Sequence, residues 1–345
     1  MTKSLSTKSF LERSATVLEP AFHAVAERLL ANLGDDVTRL AYFHNPHVVF
    51  TLRLSSVTDD VRKCLTSLWS QERRTFLSGL HLRENAHRQR CAEVEGGIHD
   101  ARSAHVESYI DSVGKGREYA LHRSGRSFRI RVSQSRESHR RTDVRILLVL
   151  THCPVTDGAF LPLDPVRHWK QLDLKRFPEF GPIVSEKTWL EGARATSSVA
   201  ECFVLFTKDW ETGVKALEAA VVDGIDSTLE VVTRNRKLST RVTLRPWDQE
   251  PRSGVMQPDW AYVVLDEVQL FPTTKIADRL GEHHEKWSHI FQVEIEVGPT
   301  PALLRPAAAL MTASRRLLEE LHVEAVPASG RKFHRLLVDA GINEG

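Results

Sequence analysis

The chain has 345 residues, 41% of them hydrophobic and 27% charged, and a net charge of +2. These proportions exclude a disordered, collagen-like or pure coiled-coil chain, and the length sets two domains as the leading expectation. The net field is too weak to attract a polyanion, so only local charge clusters can do so.

The four cysteines, Cys64, Cys91, Cys153 and Cys202, form no CxxC pair, which points to free thiols rather than a disulfide framework. The N-terminal MTKSLSTKSFLERS lacks the apolar core of a secretory signal. The longest aliphatic run, Ile146 to Leu150, is far short of the roughly 20 residues of a membrane span. The expectation is therefore a cytoplasmic protein without membrane contact.

The first clear helix starts at Pro20, carries Phe22, Val25, Ala26, Leu29, Leu30 and Leu33 at helical spacing, and stops at Gly34. A strand is predicted from His47 to Leu54. A second helix opens at Thr58, with Asp59 and Asp60 in its first turn and Val61, Leu65, Leu68 and Trp69 on its apolar face. Arg90 to Glu95 reads as a short strand closed by Gly96-Gly97, and residues 100–121 read as helical. Strands follow at 128–132 and 145–150. The stretch 154–182 holds five of the fifteen prolines and reads as a connection.

In the second half, Cys202 to Phe206 has a buried-strand pattern. Asp209 caps a helix with Trp210, Val214, Leu217 and Val221 on its core face. Strands are predicted at 229–233, 240–244, 261–270 and 291–297, a long helix from about Pro306 to Leu321, and a short one near 331–338. Strands and helices without regular alternation predict an α+β fold, with mixed sheets packed against helices in two sub-domains. The expected division is an N-terminal domain over 1–153, a proline-rich connection over 154–197 and a C-terminal domain over 198–345.

Standard nucleotide loops and a GxSxG nucleophile turn are absent from the sequence. Its strongest functional signal is basic. Between Arg123 and Arg145 lie eight arginines against two acids, including Arg123, Arg126, Arg129, Arg131, Arg136, Arg140 and Arg141. In a strand, Arg129 and Arg131 share one face and Phe128, Ile130 and Val132 the other; Arg241, Thr243 and Arg245 repeat the pattern. An arginine-rich sheet face can neutralise phosphates, so the expected function is nucleic-acid or other polyanion binding. An acidic protein surface, in a hetero-complex, is the alternative partner, and a non-catalytic assembly subunit the alternative role.

A second signal is acidic. Glu93 and Glu95 sit on a strand that ends in Gly-Gly, an arrangement able to hold magnesium in a metal-dependent nuclease; no other cofactor is indicated. The acidic strand Phe291 to Val297 places Glu294 and Glu296 on one face. If it lay beside a basic strand, it would neutralise the arginines by cross-strand pairing.

Overall fold

A computed structural model describes residues 5–78, 101–112, 119–136, 142–152, 175, 178–181, 195–222, 229–245, 260–283, 285–328 and 332–342. Its centre is a closed antiparallel barrel of eight strands. These are β1 (Val37–Leu54), β2 (Ala101–Ser112), β3 (Arg126–Arg136), β4 (Thr142–His152), β5 (Ala195–Thr207), β6 (Leu229–Arg245), β7 (Ala261–Pro272) and β8 (His289–Val297). The order β5-β4-β3-β2-β6-β7-β8-β1 closes because β1 pairs with β8 on one edge and β5 on the other. A short β9 (Ala325–Ala328) pairs with Thr51–Leu54 of β1.

This corrects the expected fold class. The strands do not form mixed sheets in two sub-domains; they form one barrel that draws on both halves of the chain. The proline-rich connection lies between β4 and β5, which are hydrogen-bonded neighbours in that barrel. Two local expectations also change. Residues 101–112 form a strand because Val106 and Ile110 alternate with Glu107 and Tyr109, a period of two rather than 3.6. The predicted strands at 229–233 and 240–244 are one continuous strand, with polar Asn235, Lys237 and Ser239 on a single face.

The barrel carries its apolar side chains outward, under helices. On one wall, α3 (Asp59–Ser78) and α8 (Pro301–Glu320) bury Phe50, Leu52, Val263, Leu265, Val293 and Ile295 against Leu65, Trp69, Leu304 and Leu310. Trp69 Nε1 donates to Ser314 Oγ at 3.0 Å, so the indole is polar-satisfied in this layer. On the opposite wall, α1 (Thr7–Val17), α2 (Pro20–Leu33) and α5 (Trp210–Val222) cover Phe128, Ile130, Val132, Ile146, Leu148, Phe203 and Leu205. Between these elements in the chain lies a single turn, α4 (Ala120–Arg123).

One end of the barrel is closed. Helices α6 (Thr274–Leu280), α7 (Glu285–Ser288) and α9 (Lys332–Asp339) bring Ile276, Leu280, Trp287, Leu336 and Leu337 onto Tyr109, Val268, Leu270 and Ile290. These last four occupy the inward positions of their strands, so the cluster is an apolar plug. Arg53, inward at the end of β1, lies 4.8 Å from the Trp287 ring centre beneath it. Among the described residues no helix is long and apolar enough to cross a membrane.

On α5, Leu217 is buried with Ala216 and Ala220, while Trp210, Val214 and Val221 pack at the margin of the same cluster. At 1% exposure, Leu217→Ala is expected to cost about 2–5 kcal/mol in urea unfolding. A cost below about 1 kcal/mol would show that the helix does not seal this wall.

Candidate functional site: a charged barrel lumen

Because side chains alternate along a strand, an apolar outer face leaves the other face to the lumen. On β3 the outward Phe128, Ile130 and Val132 are fully buried, whereas the inward Arg129 and Arg131 keep some accessible surface. The same holds on β8, where Val293, Ile295 and Val297 point out and Gln292, Glu294 and Glu296 point in. The lumen also receives Glu107 and His105 from β2, Lys237, Ser239 and Arg241 from β6, Tyr262 and Asp266 from β7, and Cys202 from β5.

These groups form a belt of opposed charges. Glu107, 2% exposed, accepts from Arg131 Nε and, at 3.0 Å, from Asn235 Nδ2. Burial alone would raise its pKa, but Arg131, Arg129 and Lys237 hold it well below the usual carboxylate range. Asp266, fully buried, accepts from Lys237 Nζ at 2.9 Å and Ser239 Oγ at 2.6 Å. Gln292 Nε2 donates to Glu294, and the Tyr262 hydroxyl donates to Glu296. Burial and the neighbouring Glu296 push the Tyr262 hydroxyl well above its ordinary value, so it stays a neutral donor. Arg129 donates to the Tyr109 hydroxyl at 3.1 Å; burial works against its charge, yet Tyr109 and Glu107 hold it firmly protonated.

Away from the plug, the lumen ends in arginines on aromatic rings. Arg39 lies 3.8 Å and Arg145 5.5 Å from the centre of the Phe206 ring, and Arg241 lies 3.6 Å from that of Tyr262. Phe206, Ala41 and Val204 form a small apolar cluster beside them with Phe43 and Leu147.

The barrel thus gathers Arg129, Arg131 and Arg241 from the sequence-predicted arginines. Arg123 is exposed outside the lumen, and Arg126 pairs with Glu19 on the outer surface. Arg136 and Arg245 end β3 and β6, and nothing is described of their side chains; Arg140, Arg141, Glu93 and Glu95 lie outside the described residues. The acidic strand lies beside β7 and β1, not beside β3 or β6. Glu294 and Glu296 therefore do not pair with the arginines across adjacent strands; Glu107 fills that role for Arg131.

Glu107, Lys237 and Asp266 were missed because Glu107 lies in the stretch read as helical, Lys237 sits among other basic residues, and Asp266 adjoins Glu267 within an apolar strand. The available signal was collective: strand after strand carries charge on the face opposite its apolar one. Burial pushes the Cys202 thiol up to about 12, against a thiolate. His44 and His47, three apart on β1, point to opposite faces, His44 outward to Glu201 and Glu179. Among the described residues no three His, Cys, Asp or Glu side chains converge as a metal cage. Glu294 and Glu296, two apart on the inward face of β8, are the carboxylates that could share a cation with a phosphate ligand. Magnesium is commonly held by one or two carboxylates plus substrate phosphates rather than by an all-protein cage.

The fold and site together define a class: an inside-out barrel with an apolar exterior under helices and a charged lumen closed at one end. No protein-family model matches the chain, and no curated protein matches it.

Proposed function

We propose that the lumen binds the end of a linear phosphate chain together with a divalent cation and hydrolyses its terminal phosphoanhydride. The observation that supports this most is the belt itself, with Arg129, Arg131 and Lys237 facing the same interior as Glu294 and Glu296. Guanidinium forks suit phosphate oxygens. Carboxylates in that company would repel the anion unless a cation lay between them. A bound divalent cation would supply charge neutralisation and orientation of the phosphates.

Size and closure narrow the ligand. An eight-stranded barrel has room for packed side chains or one small ligand. A nucleic-acid duplex is far larger than the one small ligand that such an interior admits. With α6, α7 and α9 packed over one end of the barrel, the ligand in this reading enters end first from the other. A nucleic acid would be engaged through the phosphorylated end of a single strand, which revises the reading of an arginine surface laid along a backbone. In the reaction, a water oxygen forms a new bond to the terminal phosphorus as the bridging P–O bond breaks. The electron pair leaves with the shortened chain, and the proton passes to solvent.

The test is orthophosphate release from inorganic tripolyphosphate by the full chain with magnesium or manganese, alongside cyclic trimetaphosphate, which has no chain end. Metal-dependent release from the linear compound alone is expected. No release with either metal, or equal release from the ring, would overturn the reading.

A further inference from the structure

His105 is 8% exposed on the lumen wall, between Ser133 of β3 and Lys237 of β6 in the strand register. Its Nε2 lies 2.8 Å from Ser103 Oγ, two residues along the same face, which fixes the ring. Its Nδ1 is buried and has no hydrogen-bond partner among the described residues. A buried polar atom left without a partner is costly, so it is expected where a ligand supplies the missing bond. The charged groups that face the ring are Lys237, Arg131, Glu107 and Asp266.

We propose that His105 is a proton-linked anion contact: when a tetrahedral oxyanion enters the belt, His105 takes up a proton and donates a hydrogen bond to the anion. This rests on the reading of the lumen as an anion chamber and adds a coupling that the reading does not require. Burial first, and then Lys237 and Arg131, hold the imidazole pKa well below its ordinary range. An anion cancels those two cations locally and raises the affinity of the ring for a proton. Between the empty and occupied values, one proton is bound per anion, so anion affinity rises as pH falls through that window. The mechanism balances: the proton comes from solvent on binding and returns on release.

The probe is sulfate, which carries no titrating proton near neutrality. Titration calorimetry of the full chain with sodium sulfate at about pH 6 to 7, in two buffers of different ionisation heat, reads protons taken up per anion. The wild-type chain is expected to take up close to one proton at the lower end of this range. His105→Gln should bind sulfate with no uptake, and its affinity should lose its dependence on pH. Equal uptake by the variant and the wild type, or wild-type binding without uptake, would overturn the proposal and leave the anion chamber standing. Absence of sulfate binding by the wild type would overturn the chamber and the proposal with it. If His105→Gln does not fold, nitrogen NMR of the ring in the wild-type chain decides: sulfate moves its shifts to imidazolium values, or leaves them neutral and refutes the proposal.

Discussion

Replacing Glu294 and Glu296 together by Gln is expected to lower metal-dependent release of phosphate from tripolyphosphate by at least about 100-fold, roughly 2.7 kcal/mol of barrier. Among the described residues, Glu107 pairs with Arg131 and Asp266 with Lys237. Glu296 instead accepts from the neutral hydroxyl of Tyr262. Gln keeps the size of each side chain and an oxygen acceptor for Gln292 and Tyr262 while removing the charge that a cation needs. The melting temperature in the absence of metal should therefore change little. The stabilisation that magnesium or manganese gives the wild type through preferential binding to the folded chain should disappear. Hydrolysis that survives in the double variant would place the cation elsewhere, with Glu93 and Glu95 the next pair to replace.

Much of the local structure was legible in the sequence. The helix from Pro20 to Leu33 follows from its proline start, its apolar spacing and Gly34, which adopts a φ of +48° at its end. The strand around 128–132 and the faces of Arg129 and Arg131 follow from strict alternation, and the strand at 145–150 from its continuous apolar run. Closure was not legible. Alternation says which residues share a face, not whether that face is convex, flat or wrapped around a cavity. The contacts that close the barrel join Val37–Phe50 to 195–207 and Val48–Leu54 to 291–297, and no local pattern links segments so distant in the chain. The site inherited that limit. Arg129, Arg131 and Arg241 could be picked out and Glu294 and Glu296 noticed, but only closure makes them neighbours of one interior. Residues 101–112 were misread because only Val106 and Ile110 mark the apolar face, while the opposite face carries Glu107 and Asp111. Both are buried, Glu107 on cations and Asp111 on the backbone N–H groups of Ser112, Leu121 and His122.

Arg131→Met is expected to destabilise the chain by about 3–5 kcal/mol, because it leaves Glu107 as a buried charge without its principal partner. The pair is well inside the wall, with the Arg131 side chain 17% and that of Glu107 2% exposed. Met matches the aliphatic stem, so lost packing contributes little and the cost is chiefly electrostatic. The coupled variant isolates this: Glu107→Gln in the Arg131→Met background removes the stranded charge while keeping the amide contact with Asn235, and should recover most of the loss. The pH dependence has a definite sign. The folded-state pKa of Glu107 is depressed, so its contribution is fully present above the unfolded value of about 4.3 and is lost as pH falls through the folded value. Wild-type stability should therefore fall in acid more steeply than that of Glu107→Gln. Urea unfolding of the four chains at about pH 7 and about pH 4 measures both effects. A single variant that costs under about 1 kcal/mol, or a double variant no more stable than it, would mean that Arg129 and Lys237 suffice to hold Glu107. The belt would then be electrostatically redundant at Arg131, leaving that guanidinium available to a bound anion without cost to the fold.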